Sequence, residues 1–281
     1  MGLLDLFRAG GLRPAWTYSV AGTLWRVIPA PPGTVVGEER DTKSKVATFF
    51  ALDLASGRVR WSGRRFHDDW WVGVTVVHRN VLLLHGFATP DMPGHRGLVA
   101  ADVSTGEVLW SDPACTLVEL RGEVLLLSRE TINGFEREER SLRNGARTSS
   151  APPARGFAGA TLEDASREII IPHVLRYGEE IDPDTERLLR PFSPGESSAW
   201  PVEIIVHPRT AVLLTHERVP SSSGPDLLAA RLRVVGRSSG SLLYEEVVQR
   251  HLHAPVQSTF SVVHDLLLYI KDGRSLRAIP L

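Results

Sequence analysis

An internal repeat constrains this chain more than any other feature. Two segments, ALDLASGRVRW from Ala51 and AADVSTGEVLW from Ala100, carry the same residues at the same spacing. Ala51, Asp53, Gly57, Val59 and Trp61 match Ala100, Asp102, Gly106, Val108 and Trp110. Alternating strands on either side of a glycine turn describe a β-hairpin. Glycine accepts positive φ in such a turn, the aspartate can accept hydrogen bonds from turn amides, and the indole can fill the wedge between neighbouring sheets. RSSGSLLY, with Gly240 and Tyr244, is a weaker third copy, and DPDTERLL, with Asp182 and Thr185 but Glu186 in place of glycine, a degraded fourth.

A second periodicity runs through the whole chain. Short apolar runs begin at Val35, Val81, Val124, Ile169, Ala211 and Leu266, at intervals of 46, 43, 45, 42 and 55 residues. The last interval contains the insert Ser221-Ser222-Ser223-Gly224-Pro225. Another strand-like segment precedes each run, so each unit reads as strands A, B and C, a glycine turn, and strand D. Six such units predict an all-β fold, a six-bladed β-propeller of four-stranded antiparallel blades, as one domain over residues 1–281 with a short extension at 1–11. RSLRAIPL from Arg274 aligns with RGLVAADV from Arg96, a C strand, so the last unit lacks its D strand. Trp16 stands where Trp61 and Trp110 end theirs. The N-terminal strand is therefore expected to complete the last blade, because an open ring leaves strand edges unpaired.

Charge and composition narrow the partners. Thirty-two basic residues against thirty-three acidic ones leave a net charge of −1, so no global field draws in nucleic acid or an anionic membrane. Only Lys43, Lys45 and Lys271 are lysines, and guanidinium groups do not act as bases. The single cysteine, Cys115, excludes an internal disulfide and sits among apolar residues as a core side chain. Asp5 and Arg8 interrupt the apolar N-terminus before a signal-peptide core forms, and no stretch reaches the ~20 apolar residues of a membrane span. The expectation is a cytoplasmic, bacterial, monomeric protein.

The hairpin motif resembles the quinoprotein-type repeat, whose blades carry Ala-x-Asp-x-x-Thr-Gly-x-x-x-Trp. The chain also resembles an uncharacterised bacterial family of domain-of-unknown-function type, through GEERDTKSKVATFFALDLASG and LLLHGFATPDMPGHRGLVAADVSTG. That second resemblance implies no activity. The first implies quinone chemistry, but quinone-dependent dehydrogenases are much longer, and the residues that clamp their cofactor have no counterpart here. No cofactor is expected.

In the expected strand order, B-to-C and D-to-A connections share one face. They look longer and more polar than the minimal C-to-D turns, and long loops on rigid scaffolds carry function. Three segments there are chemically dense. EERDTKSK offers Glu38, Arg40 and Asp41, as a solvated hairpin loop or as a polar-ligand site. FHDDWW sets His67, Asp68 and Asp69 beside Trp70 and Trp71, as blade packing or as an aromatic platform with acids beside it. HGFATPDMPGHRG holds His85, Asp91 and His95, residue types that bind metals but at a spacing that matches no ligand motif, so no metal is expected. His173 falls at the same strand end as His85. Nucleophile elbow, phosphate-binding loop, His-Glu-x-x-His and Rossmann signatures are all absent.

These readings favour a non-catalytic binding or scaffolding module with a protein or small polar ligand on the loop-rich face. An enzyme acting on a carbohydrate or lactone, as a hydrolase or lyase using the carboxylates and histidines of that face, is the alternative. A quinone-binding redox protein comes last.

Overall fold

The computed structural model describes residues 11–30, 33–66, 68–89, 92–148, 169–192, 198–220 and 225–281. After β1 (Trp16–Ser19), the chain folds as consecutive antiparallel strands. β2 (Thr23–Ala30), β3 (Thr34–Asp41), β4 (Val46–Asp53) and β5 (Val59–Arg64) form one four-stranded sheet. β6 (Val72–His78), β7 (Val81–Thr89), β8 (Met92–Asp102) and β9 (Val108–Asp112) form a second. β10 (Cys115–Arg121), β11 (Val124–Thr131) and β12 (Gly134–Ser141) form a three-stranded sheet, with an isolated bridge from Arg140 to Arg147 beyond its last strand.

Two further sheets have five strands each. One orders β14 (His173–Leu175), β15 (Ser198–Val206), β16 (Thr210–Val219), β17 (Leu227–Gly236) and β18 (Leu242–Leu252). The other runs from β13 (Ile169–Ile170) through β19 (Phe260–Val263), β20 (Leu266–Lys271) and β21 (Ser275–Pro280) to β1. The chain divides into two compact units, Val20–Glu168 and Ile169–Leu281 with Met1–Ser19.

The repeat has a physical explanation in the turns. Asp53 accepts the Ser56 amide (3.0 Å) and hydroxyl (2.7 Å), and Asp102 accepts the amides of Ser104 (2.8 Å) and Thr105 (3.1 Å). The indole N–H of Trp61 donates to the Val103 carbonyl of the next sheet, and that of Trp110 to the Leu142 carbonyl, both at 2.8 Å. Each indole lies against a turn glycine of that next sheet. A Cβ on Gly106 would stand 2.8 Å from the Trp61 ring, and one on Gly145 would stand 2.9 Å from the Trp110 ring. Glycine is thus needed twice over, since φ is +69° and +66° at these positions.

The pairing of the first strand follows the same register. Trp61 pairs with Ala51, Trp110 with Ala100 and Trp16 with Ala278, the residue that aligns with Ala100. β1 therefore occupies the D position beside β21, as expected. Tyr244 pairs with Val234 in the matching place and reaches the Tyr269 hydroxyl of the following sheet at 2.8 Å.

Two expectations need correction. DPDTERLL is not a hairpin: residues Pro183–Leu189 form a helix, α1, whose N-cap Asp182 accepts the amides of Asp184 and Thr185. Proline at the first turn and buried Leu188 and Leu189 favour that outcome. The run at Ile169 does not build a sheet of its own either. It splits into β13 and β14, which extend the edges of two other sheets, so the described residues form five sheets. Two connections expected to be long loops are also mostly strand. β3 and β4 are joined by four residues, 42–45, and β7 runs on to Thr89.

Candidate functional site

Within the unit Val20–Glu168, the ends of β3, β6 and β7 and the segment before β6 bring several expected residues together. Glu38 and Arg40 alternate with Glu39 along β3, so they share one face of the strand. Both are buried, and Arg40 Nε lies 2.5 Å from Glu38 Oε1. The guanidinium also donates to the carbonyls of Trp70 (3.1 Å) and Val72 (2.6 Å), which ties β3 to the chain entering β6. Its faces meet the Trp25 and Trp70 rings at 5.2 and 4.8 Å, and Lys45 Nζ adds a second cation 4.8 Å from Trp70. Burial raises the Glu38 pKa, while the Arg40 charge pulls it back.

The histidines form a second group. His85, buried on β7, is hydrogen-bonded through Nδ1 to the Thr75 hydroxyl at 2.8 Å, and its ring stacks on that of exposed His95 at 3.5 Å and 19°. Phe87 meets both rings edge-on, and Trp71 meets Phe87 in the same way. Burial lowers the His85 pKa to about 4, with smaller contributions from His95 and Arg26. Arg26 links the two groups. It is anchored to the Val74 carbonyl at 2.7 Å and acts electrostatically on both Glu38 and His85.

Other candidates have local partners. Asp41 caps its own turn through the Ser44 hydroxyl and the amides of Lys43 and Ser44, which lowers its pKa. Asp68 accepts the amides of Trp70 and Trp71, and Asp69 pairs with Arg65 at 3.4 Å. His173 belongs to the other unit, where it contacts Glu179 at 3.1 Å and lines a cleft considered below. His67 and Asp91 lie outside the described residues. Sequence reasoning missed Trp25, Arg26, Thr75 and Phe87. The first two lie on β2, and an exposed indole beside an arginine is a usable signal in an otherwise apolar strand.

Among the described residues, one cluster has metal-ligand chemistry. Asp112, Cys115 and Glu138 bring their ligand atoms within 4.8 Å of one another. Guanidinium groups already occupy the space a cation would take. Arg129 and Arg140 meet Asp112 at 2.6 and 3.0 Å, and Arg140 and Arg147 meet Glu138 at 2.5 and 2.7 Å. Burial first, then Asp112, pushes the Cys115 thiol up to about 11, so it stays protonated and is a poor ligand.

The fold and site define an all-β chain of antiparallel sheets carrying an aromatic ledge around a buried ion pair. Residues 30–110 match the family described as a domain of unknown function (DUF4905), a span that includes both stretches quoted above for such a family. No curated protein matches. Among solved structures, the chain is similar to the tricorn protease at 11% identity and TM-score 0.32, covering 92% of this chain and 29% of that one. It is similar to BBS1N in its complex with ARL6DN (9%, TM-score 0.34, 97% of each chain). It is also similar to the β-propeller domain of the Trilobed protease from Pyrococcus furiosus (13%, TM-score 0.31, 92% of this chain and 80% of that one). The chain thus spans less than a third of the tricorn protease. Scores this low carry no inference to function.

Proposed function

We propose that this chain is a non-catalytic binding module, a single cytoplasmic propeller that engages a protein partner through the ledge of Trp25, Arg40, Trp70 and Lys45. The expected sixth blade would have to draw on residues beyond the described five sheets. The observation that carries the reading is the Glu38–Arg40 pair. A general acid or base must be free to exchange its proton with a substrate. Glu38 instead neutralises the arginine that holds Trp25 and Trp70 in place. Trp25 is 60% exposed beside that fixed cation, and tryptophan and arginine are the side chains most enriched at interface hot spots.

The test is site-specific crosslinking. A photoreactive residue at position 25 should trap one defined partner, whereas the same residue at position 109, an exposed apolar site on β9, should not. The purified protein should not turn over glycosides or lactones. Turnover that disappears in Glu38→Gln would restore the hydrolase or lyase reading and remove this one.

A further inference from the structure

Several strand acids of the unit Ile169–Leu281 are matched by cations. Glu217 and Glu245 share Arg231 and Arg233, and Glu246 is held by Lys271 and Arg277. A cleft in the same unit breaks that rule. It measures about 350 Å³, and three carboxylates, Glu179, Glu180 and Asp182, stand at its lining with no lysine or arginine among the lining residues. Apart from His173 and Thr185 the remaining wall is aliphatic and includes Ile170, Ile171 and Val206, which are 38%, 74% and 41% exposed.

The chain path explains the opening. β13 pairs with β19 and β14 with β15, so residues 171 and 172 cross from one sheet to the next and the cleft lies at the crossing. The acids differ in how they are engaged. Asp182 is used up in capping α1. Glu179 accepts the Arg176 amide at 3.0 Å and contacts the His173 ring at 3.1 Å. Glu180 has no partner among the described residues. A carboxylate without a cation beside it among the described residues, in one cleft with exposed isoleucines, fits a ligand that has a cationic head and an apolar body. The volume is at the lower end of the ~300–1,000 Å³ usual for small-molecule sites.

We infer that this cleft binds a small alkylammonium compound, with the ammonium at Glu180 and Glu179 and the alkyl chain over Ile170, Ile171 and Val206. Aliphatic wall and carboxylate rim are both required. An alcohol of the same length lacks the charge, and a carboxylate of the same length carries the wrong one.

The test uses n-hexylammonium chloride, 1-hexanol and sodium hexanoate with the full chain, followed by isoleucine-methyl NMR and by titration calorimetry. The amine should shift the methyl signals of Ile170, Ile171 and Ile204 saturably and bind more tightly than the alcohol, while hexanoate should not bind. Glu180→Gln, at an exposed position, should keep the fold and weaken the amine by roughly twofold to fivefold, in line with loss of one solvent-exposed ion pair. Trp25→Ala should leave amine binding unchanged, which separates this site from the ledge. The inference is overturned if the alcohol binds as well as the amine, if Glu180→Gln has no effect, if the shifts map elsewhere, or if millimolar amine does not bind.

Discussion

His85 stays neutral for reasons its position makes plain: it is buried, it faces a second imidazole, and Arg26 acts on it from β2. Its pKa falls from 6.5 to about 4 in the folded chain. Between those values the unfolded chain binds the additional proton, so stability rises with pH across this window and is lost on acidification from 6.5 towards 4. The full difference is on the order of 3 kcal/mol. His85→Phe should flatten that part of the stability-versus-pH curve in denaturant melts, leaving the limb below pH 4 to the capping aspartates. A variant with the parent's slope between pH 4 and 6.5 would assign the dependence to another group. At this scale the sequence was half legible. Residue types such as Glu38, Arg40, Trp70, His85 and His95 were visible, but their partners across β2 and β6 were not. Asp41 and Asp68 looked available because nothing local distinguishes a free carboxylate from one that caps its own turn.

The hairpin is the element that the sequence described best, because its residues answer to local constraints: positive φ, a capped turn and an indole that must find a hydrogen-bond acceptor. Gly106 and Gly240 separate two of these demands. Both have positive φ, but a Cβ on Gly106 would strike Trp61, whereas nothing lies within 4 Å of one on Gly240. Gly240→Ala should cost about 1 kcal/mol from backbone strain alone. Gly106→Ala should cost about 2–4 kcal/mol, because overpacking against the indole is added. Equal losses in chemical denaturation would mean that the Trp61–Gly106 contact contributes nothing. The elements misread are those whose fate depends on neighbours. DPDTERLL matches a turn by composition, yet Asp182, Pro183 and the buried Leu188 and Leu189 make it a helix. The apolar run at Ile169 fits a central strand by hydropathy, but only two residues at one end and three at the other find a sheet edge.

At the scale of the molecule, the informative residue is Trp16. Its pairing with Ala278 reproduces the pairings of Trp61 with Ala51 and Trp110 with Ala100, so the first strand completes the sheet that holds the last. That pairing was legible because a missing D strand at one end and a spare tryptophan at the other are both visible in the repeat. The blade count was less legible, since the region around Ile169 follows the 40–50-residue spacing without the local residues that make a four-stranded sheet. The proposal that the whole chain is one propeller makes both compact units depend on β1, because in a ring each sheet is supported by the next. The direct measurement is amide hydrogen exchange on Trp16→Ala, read separately over Val20–Glu168 and Ile169–Leu281. A single closed propeller predicts that protection falls in both units together, as one cooperative opening. Loss confined to the sheet of β19, β20 and β21, with β3, β4, β7 and β8 as protected as in the parent, would contradict it.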